Sequence, residues 1–441
     1  MQHARRAKSL GCKPPVRTIG IDPTGIVGLV KGASASRKKQ FPDFVEELDT
    51  FMHKFAANGK QWEHSRALLR PQFVRSQVSD IKLEEAHVQA LMSVLDRRLK
   101  SDGWTELTDL QPLFFRLTLD SATEFLFGES INSQLVDGPD KPEDGEEFSF
   151  AYAFDRSQYI LSMAARLGNN YWLMHTPQFH RMVKKVHSLV DYFVQLALSQ
   201  NAAKSGVPEQ GKYVFLQALA QETRDPYELR SQILNILLAG RDTTASTLGW
   251  FFYTMADPQY KGIFTKLRSI VLSEFGSYAD PKDITFETMK NCQYLQWCLN
   301  ETLRLYPVVS FNVRTAMVDT TLPTGGGPDG KSPIYVKKGQ DIGYGVHIMH
   351  RRKDLWGDDA DQFRPERWES RRPGWEYLPF NGGPRICIGQ QFALTELAYV
   401  IIRLLQRIGD IDGSQVPRPA RHNLTLTNCP ADGVNVKLRL E

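Results

Sequence analysis

Cys387 sits in the run Phe380-Asn-Gly-Gly-Pro-Arg385-Ile-Cys387-Ile-Gly389, where Gly382, Gly383 and Pro384 form a loop and Gly389 opens an amphipathic helical pattern through Ala398. At such a loop-to-helix junction, backbone N–H groups and the positive end of the helix dipole converge on the sulfur, favouring a thiolate and hence a soft metal ligand. A lone cysteine is otherwise more often a small buried hydrophobe. Trp62 and Arg66 stand one helical turn apart between Gly59 and Pro71. On that shared face a guanidinium can rest on an indole or bond a carboxylate bidentately. Ala239-Gly240-Arg241-Asp242-Thr243-Thr244 lies in the middle of a helix predicted over 226–255. Gly there costs up to about 1 kcal/mol and threonine hydroxyls compete for backbone carbonyls, a local conflict that points to function. Small Ala239 and Gly240 would let a flat group approach the backbone, with Thr243 placing a hydroxyl in the groove. Glu301 and Arg304, spaced i and i+3 among Leu299, Leu303 and Leu305, read as a buried pair that needs a third partner.

The elements that position these residues are mostly helical. Period-3.6 patterns mark helices from 77 to about 100, 110–127, roughly 146–167 and 178–203, and one stopped by Pro307. The aromatics Phe148, Tyr152, Phe154 and Tyr159 read as core by pattern alone. Short alternating runs at 308–316, 333–336 and 341–347 predict a small sheet with a glycine-rich turn at 325–330. A closing hairpin is expected to pair 424–427 with 434–440 around Pro430-Ala431-Asp432-Gly433. The fold class is thus mainly α with a small β subdomain.

A formal net charge of +4 over 441 residues, without a long basic run, gives no case for nucleic acid. The odd set Cys12, Cys292, Cys298, Cys387 and Cys429 contains no Cys-x-x-Cys pair, which argues against a disulfide framework or a zinc site and for a reducing compartment. No apolar run reaches the roughly 18 residues of a membrane span.

Taken together, Trp-x-x-x-Arg, Ala-Gly-x-Asp-Thr-Thr, Glu-x-x-Arg with Pro-Glu-Arg, and Phe-x-x-Gly-x-Arg-x-Cys-x-Gly occur in the order found in cytochrome P-450 haem-thiolate monooxygenases, and residues 59–441 resemble that family. The runs 64–71, 322–330 and 349–354 resemble its fungal microsomal subfamily that hydroxylates n-alkanes and fatty acids. The resemblance implies haem b bound through Cys387. Trp62, Arg66, Arg314 and Arg385 would serve the propionates, with Ala239, Gly240, Phe380 and Gly389 also lining the cofactor. Asp242 and Thr243 would relay protons during dioxygen cleavage, and Glu301, Arg304 and Arg367 would lock the fold beneath the cysteine loop. Segments 146–167 and 178–203 would lid the substrate channel, and the closing turn would reach into the pocket. Implied partners are a lipophilic substrate, O2, an NADPH–cytochrome P-450 reductase and, peripherally, the cytosolic face of the endoplasmic reticulum. Members of this texture carry a membrane anchor, a small sheet and a further helix before Trp62. About 43 residues from Pro15 to Gly59 are too few for those elements at ordinary lengths. The chain therefore divides into a shortened segment, 1–57, and a haem-binding domain, 58–441. The rival expectation is a truncated, catalytically inactive haem-binding or regulatory paralogue.

Overall fold

Helix boundaries follow side-chain chemistry at several ends. In the computed structural model, which describes residues 20–22, 59–73, 81–135, 149–203 and 214–441, Asp225 caps the longest helix by accepting from the Tyr227 N–H, and Pro226 occupies its first turn. Gly128, at φ 84°, ends another in the left-handed conformation that glycine adopts without strain. The principal helices are α1 (Lys60–Leu69), α2 (Ile81–Asp96), α3 (Leu110–Phe127), α4 (Phe150–Arg166), α5 (Pro177–Ala203), α6 (Phe215–Glu222), α7 (Pro226–Met255), α8 (Lys261–Phe275), α9 (Gln293–Leu305) and α10 (Gln390–Arg407). The predicted helices thus all form, with ends shifted by a few residues. Segment 1–57, read from the sequence as shortened, residues 77–80 and Phe148 lie outside the described residues, apart from a strand at 20–22.

Strands stay small and peripheral. A three-stranded antiparallel sheet has the order β1 (Gly20–Asp22), β3 (Phe311–Thr315), β6 (Asp341–Gly345), which puts Arg314 on the central strand opposite Ile342. The glycine-rich turn joins the hairpin of β4 (Thr320–Gly326) and β5 (Ser332–Val336), with Gly325, Gly327 and Gly330 all at positive φ.

The predicted closing hairpin is corrected. β8 (His422–Leu424) pairs instead with β9 (Asn428–Pro430), and β10 (Asn435–Leu440) pairs with β7 (Ile408–Asp412) and with β2 (Thr108–Asp109). Pro430 brings no N–H to a ladder, so pairing stops there. The Asp109 carboxylate, accepting from the Val434 N–H, then draws the next segment to the start of α3.

Two apolar cores share α7. Its first half, Leu229 to Leu238, packs with α4, α5 and α6; its second, Ala245 to Met255, packs with α2, α3, α8, α9 and α10. The segment 239–244 lies at the seam. Of the lid candidates, Phe154 is fully buried in the first core, whereas Tyr159 is exposed.

Below the seam, three helices meet through polar groups. Ser121 Oγ of α3 lies 2.7 Å from Glu84 Oε1 of α2 and 3.3 Å from Glu396 Oε1 of α10, and all three residues are buried.

Candidate active site

The cysteine loop is built by its own backbone. The Cys387 N–H donates to Phe380 O at 3.0 Å, closing the loop between them, and the bends fall at Asn381 (φ 61°) and Gly383 (φ 73°). Asn381 is held from two sides: its amide donates to Asn312 Oδ1 at 3.1 Å, and its Oδ1 accepts from the Tyr344 hydroxyl at 2.6 Å. Helix α10 begins at the expected Gly389. Solvent reaches the Cys387 side chain, yet protein surrounds it closely enough that burial raises its thiol pKa; the Gly389 N–H and the Arg66 charge oppose that rise. Such a sulfur sits on the floor of a concavity rather than on a convex surface.

Cations ring that floor. Arg66 Nη1 donates to Ile386 O at 3.1 Å, which docks α1 directly onto the loop. The Arg385 guanidinium lies 4.6 Å from the Trp62 ring centre, with Arg66 5.8 Å from the same ring. Arg314 rests 5.1 Å from the Tyr344 ring. Burial lowers the pKa of all three arginines; for Arg385 the charges of Arg314 and Arg66 add to it, and the value falls to about 10. Three crowded cations are complementary to an anion with more than one negative charge.

Across from the loop, α7 presents a stripe. Ile236, Ala239, Gly240 and Thr243 are part-exposed on a helix otherwise buried from Ser231 to Met255, at the i, i+3, i+4, i+7 spacing of one face. A Cβ built on Gly240 would meet nothing within 4 Å. Thr243 Oγ1 donates to Ala239 O at 2.6 Å.

Asp242 is placed differently from the alcohol beside it. About 100° around the helix from Thr243, it is buried and accepts from Arg241 Nη1 at 2.8 Å. The same nitrogen lies 2.5 Å from Asp155 Oδ1 on α4, and the guanidinium sits 4.4 Å from the Phe115 ring. Burial raises the Asp242 pKa against the pull of Arg241; Arg241 itself is held above its ordinary value by both carboxylates despite burial. The structure therefore brings Thr243, Ala239 and Gly240 to the groove and turns Asp242 toward an ion network. Asp155 carried no signal in the sequence, because only the packing of α4 on α7 brings it near.

Beneath the loop, the expected three-part network is complete. Glu301 Oε1 accepts from Arg304 at 2.8 Å, from Arg367 at 2.8 Å and from the Arg364 N–H at 2.9 Å; Oε2 accepts from Arg304 and from Trp368 Nε1. Arg304 also donates to the carbonyls of His350, Ala360 and Gln362. Full satisfaction of this kind is what makes buried charge tolerable. His350, which sequence reading did not single out, accepts at Nε2 from the Leu378 N–H at 2.8 Å.

These residues fit a haem. A reachable but enclosed thiol, three crowded cations and an open groove over Gly240 are complementary to a flat, doubly anionic group that takes a sulfur ligand. Among the described residues no cluster of His, Cys, Asp and Glu could hold a metal ion, and no helix is long and apolar enough to cross a membrane.

The family model described as Cytochrome P-450 matches residues 27–425. Cytochrome P-450 monooxygenase g430 of Fusarium sp is 46% identical over 501 aligned positions, which take in 100% of this chain and 87% of the relative. Cytochrome P-450 52A12 of Debaryomyces hansenii is 46% identical over 397 positions, 87% of this chain and 74% of the relative; cytochrome P-450 52A4 of Candida maltosa is 44% identical, over 96% and 81%.

Proposed function

This chain belongs to the cytochrome P-450 family and is a monooxygenase, and on that premise we propose that it hydroxylates a C–H bond of a fatty acid or n-alkane, using haem b at Cys387. The observation that carries the cofactor assignment is the enclosed thiol of Cys387 ringed by Arg66, Arg314 and Arg385. The substrate class rests on the texture of residues 64–71, 322–330 and 349–354 and on the similarity to the 52A proteins. Electrons come from NADPH through a cytochrome P-450 reductase at the cytosolic face of the endoplasmic reticulum, with the chain associated peripherally.

When bound, haem with a thiolate ligand supplies the oxygen-activating chemistry, the thiolate favouring O–O cleavage. The chain's residues do the rest. Arg66, Arg314 and Arg385, with the Trp62 indole, would hold the propionates; Phe380 and Gly389 would frame the ligand loop; Ala239 and Gly240 would leave room for the cofactor beside α7. The Thr243 hydroxyl has one hydrogen, and while it donates to Ala239 O it can only accept. Passing a proton into the groove therefore requires that bond to open. Arg241, which keeps its proton, ties Asp242 to the half-exposed Asp155, so Asp242 exchanges a proton with solvent only when that ion network opens.

Cys387→Ala should abolish the Soret band that a thiolate-ligated ferrous carbon monoxide complex gives, and its persistence would sink the ligand assignment. Thr243→Ala should lower product formed per NADPH consumed, since a positioned proton-transfer group is lost, and unchanged coupling would remove Thr243 from the relay. Titrating the Soret shift with fatty acids and with alkanes tests the substrate class.

One observation favours the second reading, a shortened paralogue without turnover: the alignment with the Fusarium relative runs to 501 positions, against 441 residues in the chain. A normal carbon monoxide spectrum without reductase-dependent product would establish it.

A further inference from the structure

The Glu301–Arg304–Arg367 network and the cysteine loop are separate in sequence, and His350 is where they are joined. The side chain is fully buried. Nε2 lies 2.8 Å from the Leu378 backbone nitrogen, and Nδ1 lies 3.2 Å from Arg304 O. The Leu378 nitrogen can only donate and the Arg304 carbonyl can only accept, so both partners specify the same answer: Nε2 bears a lone pair and Nδ1 bears the proton. The residue is tied to Arg304 twice, because Arg304 Nη1 also donates to His350 O at 2.8 Å. Its ring packs on Tyr377 at 5.2 Å, and the Tyr377 hydroxyl donates to Asn300 of α9.

From Leu378 the path to the sulfur is short and made of backbone. The Asn381 N–H donates to Leu378 O at 3.2 Å, and the Cys387 N–H donates to Phe380 O at 3.0 Å. Pro379 lies between, with no N–H of its own to anchor that stretch. The hold on Leu378 therefore fixes where the loop begins.

We propose that His350, as a neutral Nδ1–H imidazole bridging Arg304 O and the Leu378 N–H, is a positioning residue that sets the height of the Cys387 loop and so preserves thiolate ligation. It touches neither cofactor nor substrate. Burial above all, aided by the Arg304 charge, keeps its pKa at about 4, so the neutral form persists across ordinary working conditions. The proposal rests on the reading of Cys387 as the haem ligand.

The test compares two substitutions in the haem-loaded protein. His350→Gln offers an amide oxygen to Leu378 and an amide N–H to Arg304, which reproduces the polarity without the ring. His350→Phe keeps an aromatic ring and removes both bonds. In the ferrous carbon monoxide complex, His350→Phe should raise the fraction lacking the thiolate-type Soret band several-fold over wild type, and His350→Gln should stay close to wild type. If His350→Phe retains the thiolate band as well as or better than His350→Gln, the ring matters only for packing and the proposal fails. A second measurement does not depend on either variant folding: in 15N-histidine-labelled wild type, the His350 nitrogens should show the Nδ1–H tautomer unchanged from pH 6 to 8, on the order of two units clear of a pKa near 4. An Nε2–H tautomer would overturn the proposal outright. Absence of the thiolate band in wild type itself would instead overturn the reading of Cys387, leaving the tautomer result to stand alone.

Discussion

Two clusters of arginine lie on either side of the cysteine loop, and they solve the problem of buried charge in opposite ways. Around Glu301, the guanidiniums of Arg304 and Arg367 are met by a carboxylate, by five backbone carbonyls and by the Asp359 carboxylate. Around Cys387, the charges of Arg66, Arg314 and Arg385 work against one another, and among the described residues neither Arg66 nor Arg314 comes within ion-pair distance of a carboxylate. Sequence alone presents both as arginines near acids and aromatics. The balance of charge separates them: a closed account marks structure, and an excess of one sign marks a place prepared for a ligand of the other.

That contrast can be broken by substitution. Glu301→Ala leaves two buried guanidiniums without their carboxylate, and should destabilise the chain by about 3–5 kcal/mol, read as a fall in the denaturant midpoint with or without haem. A loss below about 1 kcal/mol would erase the distinction. The pair Arg66→Gln and Arg385→Gln should do the reverse. Stability of the haem-free chain should hold or rise as repulsion is relieved, while haem affinity falls by about ten- to a hundred-fold, the scale of lost hydrogen bonds to a charged group. Equal loss of stability in both clusters would show that the second is structural too. Arg314→Gln, whose cation leans on Tyr344, should give the smallest effect, a fall of about tenfold or less in haem affinity with no change in the denaturant midpoint.

Much of this site was legible because its chemistry is local. Trp62 and Arg66 share a helix face, Glu301 and Arg304 share another, and the cysteine loop carries its bends and its helix start within ten residues. Whatever depended on distant chain segments was not. Asp242 and Thr243 are neighbours in sequence, yet Asp155 on α4 and Arg241 draw the acid away from the groove that the alcohol faces. The final strand was assigned to a hairpin by its turn residues, but Asp109 and β7 capture it instead. His350 looked like one member of a polar run, because its partners lie 46 and 28 residues away.

The meeting of Glu84, Ser121 and Glu396 has a consequence for folding itself. A serine hydroxyl has one hydrogen and cannot donate to two carboxylates at once, so one of the two carboxyls supplies the other. Folding of this region thus takes up a proton that the unfolded chain has already released at neutral pH. Burial, reinforced by Glu84, raises the Glu396 pKa well above 4.5. A raised carboxyl pKa contributes stability that is whole below the unfolded value and drains away as pH climbs through the folded one. Between pH 5 and 9, then, the denaturant midpoint should decline with rising pH more steeply in the native chain than in Glu396→Gln, whose amide imitates the protonated acid at every pH; parallel curves would show that no proton is taken up there. The helix that starts at the cysteine loop is thereby fastened partly by a hydrogen ion drawn from the solvent.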